Sequence, residues 1–208
     1  MKTVDWKNKR RQVELTKKHF PGADLKGVNF QGHNLRGAFL KCADLRDANL
    51  QGADLTGAVL TDADLQNADL RGAKLQRADC RRSNFRGANL EGALLTGARL
   101  QDTNLSRTNF RKANLNSTRL DNADLSRAYL IDASLKKASL NNAYMKAADL
   151  FNANFTESTG MTCEQLKQAF FEESTRFPNY LQMTWAGTGT YQCEILESKV
   201  NKPKKKIT

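Results

Sequence analysis

The sequence predicts a solenoid built from a five-residue unit, and three observations carry the prediction. From Leu25 to Phe155 every fifth residue, 27 in succession, is Leu, Phe, Met or Cys, with no insertion or deletion. Two residues before each of these stands Ala, Ser or Thr, with Val28 and His33 as the exceptions. Ten of the 13 glycines share one phase, two residues after the large apolar position, from Gly22 to Gly97. A helix repeats its apolar face about every 3.6 residues and a strand about every 2. A helix would scatter these leucines around its circumference, and a flat strand would alternate them between two faces.

The stretch "ADLQNADLRGAKLQRADCRRSNF", residues 63–85, shows the unit most clearly. Its segments "ADLQN", "ADLRG" and "AKLQR" resemble the A(D/N)LXX motif of the pentapeptide-repeat family, and the resemblance runs over residues 22–156, about two thirds of the chain. It implies an all-β solenoid, a right-handed quadrilateral β-helix with four units per coil and about seven coils. The large apolar residue and the small residue two before it point inward, and the other three point out. Elementary energetics agree with that assignment. Each buried leucine contributes roughly 1.5–3 kcal/mol, and a narrow interior has room for only one large side chain per side. At about 4.8 Å per coil the column is roughly 32 Å long.

The glycine phase marks the turns. A type II turn needs positive φ at its second central residue, which glycine adopts without steric cost. After Gly97 that position holds residues such as Arg107, Lys112, Arg127, Lys137 and Ala147, which tolerate positive φ poorly. The sequence therefore predicts type II turns up to about Gly97 and a mixed population beyond.

The elements follow in order. Residues 1–21 form a basic N-terminal cap or a degenerate first coil, since Leu15 and Phe20 keep the five-residue phase. The opening "MKTVDWKNKRRQVEL" has no apolar core and is not expected to be a secretory signal. Residues 22–157 are the β-helix. Residues 158–180 are read as a helical C-terminal cap, because an open solenoid end exposes unpaired backbone. Thr162 and Gln165 have capping-box spacing, Leu166, Ala169, Phe170 and Phe177 suggest one apolar face, and Pro178 ends the segment. The helix is placed at 162–175. Residues 181–208 form a tail, basic and disordered at its end, "KVNKPKKKIT". Its residues 180–197 carry enough apolar side chains to fold back over Ile131 and Phe151 or to leave that patch for a partner.

Charge and cysteine content bound the function. The chain carries 33 Lys and Arg against 22 Asp and Glu, a formal +11. Residues 22–157 hold 19 basic and 15 acidic groups, so the column is nearly balanced and the ends are basic. No stretch reaches the roughly 18–20 apolar residues of a membrane span. Cys42 and Cys80 lie nearly two coils apart, roughly 9–10 Å, beyond the reach of about 7 Å for a disulfide. Cys42 and Cys80 are expected to be free thiols in a reducing bacterial cytoplasm, while the sequence leaves open whether Cys163 and Cys193 pair.

No arrangement of residues supports catalysis, a cofactor or a metal. The two histidines, His19 and His33, have no ligand-spaced partners; His33 takes an inward small-residue position and is read as a distortion near the cap. Asp24, Asp44, Asp64, Asp69, Asp124 and Asp149 are read as turn residues bonding backbone. Cys80 takes a leucine position. Residues 20 apart stack in successive coils, which pairs Arg82 with Asp62 and Asp102, Asp79 with Arg99, and Lys112 with Asp132. Arg71, Arg77 and Arg81 find no acid above or below and become candidate contacts. Phe39 with Val59, and Ile131 with Phe151 and Tyr129, are apolar outward groups and a candidate partner surface. The expected function is a non-enzymatic scaffold or protein-interaction module with an unidentified protein partner. The alternatives are weak, salt-dependent binding of nucleic acid or an anionic surface through the basic ends, and topoisomerase (gyrase) modulation by DNA mimicry, which the resemblance raises and the net charge disfavours.

Overall fold

The computed structural model describes residues 19–186 and 190–196. The basic N-terminal segment through Lys18 and the terminal "KVNKPKKKIT" lie outside the described residues. Through the column each outward residue before the large apolar position forms a parallel bridge to its counterpart 20 residues on, from His19↔Phe39 to Ser139↔Thr159. Four five-residue units therefore close one coil. Each side is held by two backbone bonds, as when the Leu25 N–H donates to the Asp44 carbonyl (2.8 Å) and the Asp44 N–H to the Ala23 carbonyl (2.9 Å). Burial follows the five-residue pattern: Leu35, Leu75 and Phe110 are fully enclosed, and so are Ala38 and Ala78 beside them. Two inward hydroxyls bond the preceding coil, Thr103 Oγ1 donating to the Cys80 carbonyl at 2.8 Å and Thr108 Oγ1 to the Phe85 carbonyl at 2.9 Å, while Ser158 Oγ finds no partner among the described residues.

The turns correct the sequence reading. At nearly every corner the N–H of the small residue donates back across the turn, as from Ala43 to the Leu40 carbonyl at 3.1 Å. The second central residue has positive φ at every corner from Gly22 to Glu157, glycine or not. Arg107 (59°), Lys112 (57°), Arg127 (58°) and Lys137 (60°) all adopt it. The second half therefore keeps the left-handed turn of the first. The left-handed cost of about 1–2 kcal/mol per residue is outweighed because the same residue's N–H is tied to the next coil, as from Arg107 to the Ser126 carbonyl at 3.0 Å.

The C-terminal end differs from the expected helix over 162–175. Helix α1 covers only Cys163–Leu166. The capping box forms as the sequence suggests, with Thr162 and Gln165 satisfying each other. Gln165 then turns its amide onto the last coil, donating to the Leu140 and Ala143 carbonyls at 3.0 Å each. Beyond α1 the chain resumes bridging the column, Asp149↔Phe170 and Asn154↔Arg176, at spacings looser than 20. The apolar residues read as one helical face are thus split between one turn of helix and an irregular further coil. Gly160 (φ 76°) lets the chain pass close to the column, because an added Cβ would sit 2.6 Å from the Asn141 backbone nitrogen.

Strands β1 (Leu181–Trp185) and β2 (Tyr191–Ile195) form an antiparallel hairpin with Met183 opposite Cys193. The hairpin packs on the cap. Phe171 meets Trp185 and Tyr191 at ring-centroid distances of 6.0 and 4.7 Å, and the Met161 N–H donates to the Tyr180 hydroxyl at 2.9 Å. Cys193 is disulfide-bonded to Cys163, with Cα atoms 5.7 Å apart. Cys42 and Cys80 are free thiols, as expected, and the pairing that the sequence left open is formed. The hairpin brings Cys193 over α1, a proximity that the 30-residue separation does not reveal.

Candidate interaction site

The Asp and Asn residues before the large apolar position fix the outer surface. Their side-chain oxygen accepts the N–H two residues on, as in Asp64 to Gln66 (3.1 Å) and Asn104 to Ser106 (3.0 Å). Both residues point outward across the inward one between them, so an arginine at the second position meets the same carboxylate. Arg71 grips Asp69 through Nε (2.9 Å) and Nη2 (2.6 Å), and Arg81 grips Asp79 through Nε (2.8 Å) and Nη2 (2.7 Å). Arg46 does the same with Asp44. The Arg71 and Arg46 hydrogen bonds hold the Asp69 and Asp44 carboxyls below the usual carboxylate range.

Arg71 and Arg81 are therefore not unpaired contacts, and the coil count itself places Glu91 one coil from Arg71. The signal was an Asp two residues before the Arg, within one side rather than between coils. Arg77 makes no ion pair among the described residues and stays exposed at a corner. Arg82 pairs with Asp62 (2.8 Å) and Arg99 with Asp79 (3.3 Å), as the 20-residue spacing indicates. Lys112 does not pair with Asp132, which accepts from Asn152 at 2.6 Å instead.

Phe39 and Val59 are half-buried, and His19 stacks on Phe39 at 5.0 Å, so this pair is not an open patch. His33 is exposed and tilts against Phe30, because an imidazole is too large for the small inward position. Cys80 is enclosed, and burial pushes its thiol up. Tyr129 is 50% exposed and Phe151 37% exposed, with Ile131 half-buried beside them. The cap adds Phe170, 58% exposed, which bridges Asp149 as Asp149 bridges Tyr129. The result is an apolar strip over the last coils. The hairpin packs on the cap and leaves Phe151 uncovered. Sequence reasoning missed Phe170 by assigning it to a helix, and missed Tyr144, 65% exposed, because its coil neighbours are polar.

Among the described residues no group of three His, Cys, Asp or Glu side chains could hold a metal ion, and no helix is long and apolar enough to cross a membrane.

A column of four-unit coils with an outward Asx ladder and a leucine interior defines a β-solenoid repeat protein. The chain belongs to the pentapeptide-repeat family: the profile described as Pentapeptide repeats matches eight copies across residues 11–41, 40–77, 63–102, 73–111, 90–127 and 128–159. No curated protein matches the chain. Among solved structures it is similar to HetL of Nostoc sp. strain PCC 7120, a pentapeptide repeat protein involved in heterocyst differentiation regulation. The identity is 32%, over 75% of this chain and 72% of that one, with a TM-score of 0.52. A pentapeptide repeat protein of the Arabidopsis thaliana thylakoid lumen is 33% identical over 56% of this chain and 75% of its own, with a TM-score of 0.38. QnrB1, a plasmid-mediated fluoroquinolone resistance protein, is 20% identical over 78% and 86%, with a TM-score of 0.38.

Proposed function

We propose that this protein is a non-enzymatic interaction module that docks a protein partner on the strip formed by Tyr129, Ile131, Phe151 and Phe170. The observation that carries the reading is large apolar side chains at outward positions of an otherwise polar column. Contiguous exposed apolar surface of this kind marks interaction sites. The engagement of Asp44, Asp69 and Asp79 by arginines and backbone speaks for a structural role of the carboxylates and against acid–base work. The reading assumes a right-handed column of about seven coils, closed at its C-terminal end by residues 158–180, in a bacterial cytoplasm. A disulfide such as Cys163–Cys193 is uncommon in that compartment, and alkylation of thiols in intact cells would decide between a cytoplasmic and an oxidising location. A regulatory role also suits the similarity to HetL.

The test is affinity capture from lysate with the full chain and with a Tyr129→Ser/Phe151→Ser variant, at low and high salt, with and without nuclease. A partner that survives high salt and nuclease and is lost with the variant supports the reading. Equal capture by both proteins refutes it. Binding through the basic ends would instead vanish at high salt.

A further inference from the structure

A second surface on the column gathers four exposed cations around one groove. On one face, Asp44 and Asp64 occupy the position before the large apolar residue, and Arg46 is clamped to Asp44 and lies 3.8 Å from Asp64. One and two coils after Asp64 the same position holds Asn84 and Asn104. Asn84 still accepts the Arg86 N–H at 3.2 Å but offers no carboxylate to its guanidinium. The next three coils add Arg107, Arg127 and Lys146 along the same corner, all exposed. None of these four cations forms an ion pair among the described residues. Bridges at every coil set them in two adjacent columns of one corner, Arg86 and Lys146 in one and Arg107 and Arg127 in the other, over three coil rises or roughly 14 Å.

Beside this ridge runs a groove. A cleft of 350 Å³ is lined by all four cations with Asn104, Ser106 and Ser126. Ser126 and Lys146 also line a cleft of 780 Å³ that reaches the cap and includes Tyr144. The shared residues make one trough, polar along its floor and ending at an aromatic ring 65% exposed. The opposing charges are few. Asp124 lies on the same face with its oxygen accepting the Ser126 N–H at 2.9 Å, and Glu164 at the cap is paired with Lys167.

We propose that this trough binds single-stranded nucleic acid, with the phosphodiester backbone along Arg86, Arg107, Arg127 and Lys146 and a base stacked on Tyr144. A ridge of unpaired cations matches a linear polyanion rather than a compact one. Hydroxyl and amide groups between the cations supply further donors to phosphate oxygens. A positive groove with an exposed aromatic ring is the arrangement that holds single strands without sequence readout. The site shares no residue with the apolar strip, which begins on the next face at Tyr129, or with the basic chain ends.

The test is fluorescence anisotropy of a labelled oligothymidylate of about 12 nucleotides titrated with the full chain across a series of salt concentrations. Four phosphate contacts give a slope of log K against log salt of about −3 from this site. Arg107→Gly/Arg127→Gly suits the positive φ at both positions, so the variant should fold, and it should flatten the slope by about 1.4. Tyr144→Ala should weaken binding about 5- to 150-fold with the slope unchanged. Circular dichroism confirms that each variant is folded. The proposal is overturned if the double variant keeps the wild-type slope, if Tyr144→Ala binds as wild type does, or if a duplex of equal length binds as tightly. Binding that depends only on residues 1–18 and 197–208 also overturns it.

Discussion

Ala147 offers a direct measure of what the turns cost. It sits at the second central position of a corner with φ 55°, and its N–H is fixed to the Gln168 carbonyl at 2.6 Å. Replacing it by glycine removes one methyl group and nothing else. The left-handed region costs an L-residue about 1–2 kcal/mol. Glycine gives back about 0.5–1 kcal/mol through the larger entropy of its unfolded chain. Ala147→Gly should therefore stabilise the protein by about 0.5–1 kcal/mol, which for a chain of this size raises the melting temperature by roughly 1–4 °C. The mirror experiment is Gly97→Ala. Gly97 has φ 70°, and a Cβ there would meet only Arg77 Cγ at 3.8 Å, an ordinary contact. The variant should lose a similar amount for backbone reasons alone. Thermal melts followed by far-ultraviolet circular dichroism, with urea titrations as a second axis, read both changes. A destabilised Ala147→Gly, or two variants moving in the same direction, would refute left-handed strain as the cost of a non-glycine corner.

The remaining expectations concern the core, the cap, the ion pairs and the surface charge. Leu75 is fully buried, so Leu75→Asp should cost at least about 3 kcal/mol by placing a charge where an apolar side chain is needed; an unchanged melting curve would show that position 75 is not enclosed. Cys193→Ser opens a loop of 30-residue separation, worth about 3.6 kcal/mol by chain entropy; hydrogen exchange should quicken in the hairpin while the column stays protected, and unchanged hairpin protection would dismiss the bond as a clamp. Asp69 is held below its ordinary 3.8 by Arg71, so that contribution is complete above this value and fades as pH falls through the lower folded one. Melting temperatures of wild type and Arg71→Gln should accordingly differ slightly at neutral pH, since the pair is exposed, and converge in acid; a gap that widens in acid would reverse the assignment. Finally, a chain of formal charge +11 approaching a positively charged DNA-binding saddle is repelled rather than steered, so gyrase supercoiling should proceed undisturbed at micromolar protein, and inhibition that persists without the basic ends would overrule that argument.

What could be read in advance divides by the strength of the constraint. Burial tolerates no exceptions along the inward line, so Leu25 to Phe155 was legible residue by residue. The corners were less so, because backbone strain of about 1–2 kcal/mol is small beside two ladder bonds per side, and the chain keeps Arg107 and Lys137 left-handed rather than break register. The arginine pairs were obscured by looking only between coils. Asp69 and Arg71 flank an inward residue and leave the same side together, a geometry set by the pleat and visible in the sequence as Asp-x-Arg. At the cap two periodicities overlapped. Leu166, Ala169 and Phe170 fit a helix, yet Phe170 pairs with Asp149 as the column continues. The hairpin had its own signal, since Leu181, Met183 and Trp185 alternate with polar residues, as do Tyr191, Cys193 and Ile195. Once that hairpin is seen, Met183 opposite Cys193 places the second cysteine above α1, and the disulfide follows from the register.

The surface cations follow the same local rule. An arginine two residues after Asp is neutralised within its own side. After Asn the carboxylate is missing: Arg86 keeps the backbone bond to Asn84, whereas Arg36, after Asn34, reaches Asp54 of the next coil instead. The Asp-to-Asn change between Asp64 and Asn84 therefore alters no inward position, yet it leaves the Arg86 guanidinium without the carboxylate that holds Arg46. Residue identity at these outward positions is free to vary for binding because the inward line alone fixes the solenoid. For that reason the groove beside Arg86, Arg107, Arg127 and Lys146, rather than any buried position, is where substitutions should change binding without changing the fold.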